Sequence, residues 1–305
     1  MSTTVSATSA PIVAEREPRP SFLGAMRGEW LKVSRQWTFW IMLGLMVGGY
    51  ILVTLIFSAG GNLADRLQRN PQEGIYSFME LYLFLLRVFW GMMMIVLTAR
   101  LIGMEYSGGT IRVLLGRGVG RLQLLFAKLS VLALIAVIGG ALLTLFATIC
   151  GLIGISAAAH NLDVLKAADA TFWSDARLYS ASVLISLGVS ILMAAAVTTV
   201  TRSLAAGLSV SIIWFPIDNL AILPLTLGAA LTKWSFWTLV SGDFLGLNLD
   251  TMGAQLLSNP RLSLINTFAP LTPVTGAHTL LVAGIYTVIF LVVAVTLTAL
   301  PDVKE

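Results

Sequence analysis

Residues 101–128 read LIGMEYSGGTIRVLLGRGVGRLQLLFAK, a polar stretch wedged between two long apolar runs. With Arg100 just ahead of it, the stretch gathers Arg112, Arg117, Arg121 and Lys128, together five of the nineteen basic residues. Gly108 and Gly109 lead into a short helical pattern, Thr110-Ile111-Arg112-Val113-Leu114-Leu115, and Gly116, Gly118 and Gly120 stop it. Only 11% of the chain is charged, so a basic, glycine-bounded element held on one side of a bilayer reads as a docking surface.

The flanking runs set the fold class. Hydrophobic residues make up 57% of the 305, and mean hydropathy is +0.88. The apolar stretches reach about 20 residues, the length a helix needs to cross the hydrocarbon. They lack the strict alternation of barrel strands, so the expectation is an all-α integral membrane protein. Cys150, the single cysteine, lies inside an apolar run and excludes an intramolecular disulfide.

Working outward, residues 1–20 are rich in Ser, Thr, Pro and charge and read as a flexible tail; residues 21–305 read as one transmembrane domain. Phe22, Met26, Trp30, Val33 and Trp37 recur at helical spacing, with Arg27, Glu29, Lys32 and Arg35 on the other faces. That pattern fits an amphipathic helix along the membrane surface or a solvated extension of the first span. Spans are expected at about 37–57, 81–101, 129–153, 178–200, 205–227 and 280–300, six in all, with both termini on one side. Gly44 and Gly48 form a small-xxx-small pair in the first. Ser182, Ser186, Ser190 and Ala194 form a ridge in the fourth, most simply a packing face.

Orientation follows from the basic residues. With the termini inside, cytoplasmic segments carry twelve Lys and Arg and external segments six. This positive-inside bias puts residues 101–128 and both termini in the cytoplasm of a multi-pass protein of the cell (inner) membrane. The external segment 228–279 intersperses Trp234, Phe236, Trp237, Phe244 and Phe268 with Gly and Pro. It is expected to fold back onto the bilayer as short interfacial or re-entrant helices, either a lid over an exit or a cap with no gating role.

Catalytic constellations are absent from the sequence: there is no HExxH, GxSxG or CxxC, and no GxxxxGK[ST] phosphate loop. His160 and His278 lie in separate segments without ligand neighbours, so no metal site, bound cofactor or nucleic-acid partner is expected. Two ionisable residues lie within spans, where charge costs a few kcal/mol or more unless paired or hydrated. Arg87 stands roughly 9 Å below the external end of the second span and Asp218 roughly 13 Å below that of the fifth, at 1.5 Å per residue. Either the two pair or share a hydrated cavity on a translocation pathway, or Arg87 snorkels to the interface and Asp218 bonds locally near Pro216.

Glu105-Tyr106-Ser107-Gly108-Gly109-Thr110-Ile111-Arg112-Val113-Leu114-Leu115, followed by Arg121 and Lys128, resembles the cytoplasmic segment between the second and third spans of type 2 ABC transporter permeases. Gly28-Glu29-Trp30-Leu31-Lys32 is similar to that family's N-terminal elbow helix. Gly118 and Gly120 depart from the Pro and Ser or Thr that many members carry there. The resemblance implies an exporter half: two permease chains, identical or paralogous, over two separately encoded ATPase subunits that consume ATP and Mg. Thr110–Leu115 would be a coupling helix in an ATPase groove. Its Ile111, Leu114 and Leu115 would fill the groove while Arg112 and Arg117 meet acidic rims, and Glu105 would meet the elbow. Arg87 and Asp218 would lie on pathway-lining helices. The competing reading is an ion-coupled secondary transporter using Arg87 and Asp218 as a relay, although no internal repeat supports it. A membrane-embedded enzyme is a third, weakened by the missing catalytic cluster. Membrane lipid is the expected surroundings, and the cargo is not legible.

Overall fold

Local signals place each helix end. In the computed structural model, which describes residues 21–59, 69–109, 120–159, 163–257 and 269–300, all regular structure is helical. Ser21 accepts the Gly24 amide at 3.0 Å and opens α1 (Phe22–Ser34). A short break leads into α2 (Trp37–Ala59), whose Trp40 indole donates to the Ser34 carbonyl at 2.9 Å and holds the corner. Pro71 begins α3 (Pro71–Leu85) at the position where a missing amide costs nothing. A π-helical turn (Leu86–Trp90) joins α3 to α4 (Gly91–Ser107), making one apolar rod. α5 (Arg121–Ala159) and a short 3-10 turn (Asp163–Ala167) precede α6 (Ala170–Thr201). Asp169 caps α6 at its start, and Arg202, at φ 48°, ends it in the left-handed region. Ser203 then caps α7 (Leu204–Asn219).

Five of these elements are long and apolar enough to cross a membrane: α2, the α3–α4 rod, α5, α6 and the last helix, α11 (Gly276–Ala299). The expected fifth span is not one straight helix. α7 and α8 (Ile222–Thr232) meet at a 54° bend, and only taken together do they supply a sixth. The cause is local: Pro224 has no amide to offer the Leu220 carbonyl, and its ring would collide with that carbonyl in a continuous helix. The other helices run past their expected limits, because the hydrocarbon sets the length of the apolar core and not the end of the hydrogen-bond ladder.

Packing ranks the helices. In α6, 67% of the apolar segment is buried, and in the α3–α4 rod 61%, against 17% for α2 and for α11. α6 touches α4, α7, α10 (Leu245–Leu256) and α11, while α1 and α2 lean on α5. The ridge at Ser182, Ser186, Ser190 and Ala194 is buried along its whole length. Gly103 lets α4 reach the turn into α7, since a Cβ there would lie 2.7 Å from Leu204 Cα. A Cβ at Gly44 or Gly48, by contrast, would meet nothing within 4 Å among the described residues.

The segment before the last span folds back as two short helices, α9 (Phe236–Asp243) and α10. Trp234 and Phe236 are exposed, as an interfacial segment requires. α10 is different: every residue from Leu245 to Ala254 is buried, and it packs on α6, α7 and α11. Gly246 permits this, because a methyl in its place would overlap the Asp218 carbonyl.

Candidate functional site

Besides the buried Glu80 and Asp175, the described residues hold two buried charged layers. The first forms where the π turn distorts the α3–α4 rod and directs Arg87, 4% exposed, into the interior. Its guanidinium is shared among three helices. Nε donates to Ser186 Oγ on α6 at 3.0 Å, Nη2 to Asn219 Oδ1 on α7 at 2.7 Å, and Nη1 to Asp250 Oδ1 on α10. Asp250 is 5% exposed, and no other charge lies on α10. Asp218 is buried close enough to Arg87 and Asp250 to feel both electrostatically. Among the described residues its Oδ1 has no hydrogen-bond partner, and neither does Asp250 Oδ2.

Arg87 and Asp218 therefore belong to one cluster, on helices that pack together, but the ion pair of Arg87 is with Asp250. Sequence reading missed Asp250. The signal was a lone carboxylate in an otherwise uncharged run, Leu245-Gly246-Leu247-Asn248-Leu249-Asp250-Thr251-Met252. It was hidden by the expectation that 228–279 stays at the surface. Beside the cluster lies a cleft of about 320 Å³ between the π-turn region (Phe84, Val88, Phe89, Met92) and α7 (Phe215, Pro216, Leu220). Asn219 and Asp250 are its polar lining.

The second layer ties α1 to the ends of α4 and α5. Lys128, 3% exposed, donates to Glu29 Oε2 at 2.9 Å, Glu105 Oε1 at 2.8 Å and the Leu101 carbonyl at 2.8 Å, which uses all three of its protons. Lys32 adds bonds to Glu29 Oε1 at 2.6 Å and Glu105 Oε1 at 2.9 Å. Two ammonium groups meet two carboxylates, so the layer is neutral and each buried charge is compensated. Burial works against the Lys32 charge, but the bonds from Glu29 and Glu105 outweigh it and hold the ammonium above its ordinary value of 10.5.

The layer also shows which way α1 faces. Glu29 is 3% exposed and faces the bundle, whereas Trp30 and Leu31 face outward. Val33 is buried on the same side and Met26 packs beside it, so the ionic partners on α4 and α5 and part of the apolar stripe set the roll of the helix together. Of the residues framing the opening stretch, Glu105 sits in this layer, and Arg121 starts α5, donating to the Leu300 carbonyl at the end of α11 at 2.9 Å. The Leu204 amide, at the α6–α7 turn, donates to Ser107 Oγ at 3.1 Å. Thr110, Ile111, Arg112, Leu114, Leu115 and Arg117 lie outside the described residues. His278 contacts the Gly242 carbonyl at 2.9 Å, and among the described residues no three His, Cys, Asp or Glu side chains gather as a metal site would need.

Comparison with known proteins places this arrangement. A family model described as ABC-2 family transporter protein matches residues 25–217, more than half of the chain, from α1 through most of α7. No curated protein matches.

Proposed function

The chain belongs to the ABC-2 transporter family, and we propose that it works as half of an ATP-driven exporter, coupled to a separate ATPase through residues 102–121. As a family member it is a multi-pass permease subunit of an ABC transporter, a kind of subunit that works with an ABC ATPase partner. In the proposed assembly two permease chains form the pathway and two ATPase subunits bind ATP and Mg beneath them. Residues 101–128 and both termini face the cytoplasm of the cell membrane, and Thr110–Leu115 is the segment seated on the ATPase.

One observation carries this reading. The four-residue layer of Glu29, Lys32, Glu105 and Lys128 stands at the root of the 110–119 segment and binds its two flanking helices to each other and to α1. A push delivered to that segment would otherwise spread α4 and α5 apart. With the ends cross-linked by charge, it moves α1, α4 and α5 as one body, a rigid lever of the sort that rocks transporter halves. α4 carries the displacement to the π turn, where Arg87 and, across the cluster, Asp218 line the proposed pathway.

The test is co-purification. The chain should recover an ABC ATPase, and replacing Leu114 and Leu115 by aspartate should abolish recovery while the permease stays folded. Undiminished recovery would overturn the docking role. Transport that follows the proton gradient and needs no ATPase would overturn the exporter reading.

A further inference from the structure

We propose that the cleft beside Arg87 and Asp250 binds a lipophilic monovalent cation. The proposal rests on the permease reading only in treating the cleft as part of the cargo route; binding itself needs no ATPase.

Charge argues for a cation. Asp218 and Asp250 are both buried, and Arg87 offers one positive charge between them. Among the described residues Asp250 Oδ2 and Asp218 Oδ1 meet no hydrogen-bond partner, and a buried carboxylate oxygen left unmet is costly. Asp250 lines the cleft although its Oδ2 is itself buried, so a cation in the space would be drawn by the carboxylate's charge through the wall without bonding that oxygen directly. An anion would find the reverse: the guanidinium is already committed to Ser186, Asn219 and Asp250, and two carboxylates repel it.

The walls argue for a lipophilic one. Phe84, Phe89 and Phe215 put three aromatic rings around the space, and ring faces attract cations once water is displaced. A volume of about 320 Å³ is within the range for small organic ligands. A calcium or magnesium ion is poorly served, since it is held by about six or more oxygens and, among the described residues, only Asn219 and Asp250 bring polar side chains to the cleft.

The experiment measures equilibrium binding of radiolabelled tetraphenylphosphonium to the full-length chain in lipid nanodiscs, against chain-free nanodiscs. Radiolabelled tetraphenylborate, of the same shape and opposite charge, is measured in a separate series, because mixed with the cation it would form an ion pair. The expected result is saturable binding of the cation and none of the anion, with cation binding weakened about tenfold or more in Asp250→Asn, whose side chain keeps its shape but loses its charge. Because that substitution also deprives Arg87 of its partner, Val88→Phe is measured in parallel; it leaves every charge in place, fills the cleft and should weaken binding similarly. Absence of saturable cation binding, equal saturable binding of tetraphenylborate, or wild-type affinity in Val88→Phe overturns the proposal. Each of these leaves the ATPase-docking test unaffected, and failure of that test leaves the binding result standing.

Discussion

Arg87 and Asp250 are separated by 163 positions in the chain and form a buried ion pair in the middle of the bundle. The pair exists because α10 turns back into the protein and because the π turn rotates Arg87 toward it. A guanidinium held on three helices by Ser186, Asn219 and Asp250 fastens α6, α7 and α10 to the α3–α4 rod.

Removing one partner should cost more than removing both. Arg87→Leu alone leaves Asp218 and Asp250 buried without a cation, and the expected loss is about 3–5 kcal/mol. Arg87→Leu combined with Asp250→Leu should recover much of that. The exchange of Arg87→Asp with Asp250→Arg should rescue better than the exchange of Arg87→Asp with Asp218→Arg. Thermal unfolding in nanodiscs ranks the variants. Equal rescue by the two exchanges would contradict the pairing.

The second layer predicts a contrast between its two lysines. Lys128→Met leaves two buried carboxylates sharing only the half-exposed Lys32 and should destabilise by about 3 kcal/mol. Lys32→Met removes a half-exposed partner, with an expected loss of about 1 kcal/mol or less. The same unfolding assay separates them, and similar losses would refute the assigned burial.

The contribution of Lys32 should not vary across neutral pH. Its folded pKa is raised above the ordinary 10.5, so the stabilisation is fully present below that value and fades only as pH climbs through the higher folded one. The melting-temperature difference between wild type and Lys32→Gln should therefore be constant from about pH 6 to 9. A difference that decays within this window would place Lys32 outside the network.

Glycine substitutions report where helices touch. Gly103→Ala and Gly246→Ala put a methyl into Leu204 and the Asp218 carbonyl, and each should cost about 1–3 kcal/mol. Gly44→Ala and Gly48→Ala meet open space in α2 and should be neutral or stabilise by up to about 1 kcal/mol through helix propensity. Destabilisation of the monomer at Gly44 or Gly48 would contradict the packing described.

Much of the architecture was legible in the residues. Length and apolarity located the spans, and a seam of Ser182, Ser186 and Ser190 announced a buried face. A charge inside an apolar run marked Arg87 and Asp218 as needing a partner. The break between α7 and α8 was also written there, in Pro224, but was hidden by the unbroken apolar composition around it.

By itself the sequence determined that this chain is a helical membrane protein and which residues could not be left alone in hydrocarbon, because burial of apolar surface and the cost of bare charge depend on local composition. Only the tertiary structure decided the partners. Asp250 reached Arg87, and Glu29 turned inward to Lys128, through contacts between helices far apart in the chain. Electrostatic compensation is a property of position in space, which no periodicity along one helix can report.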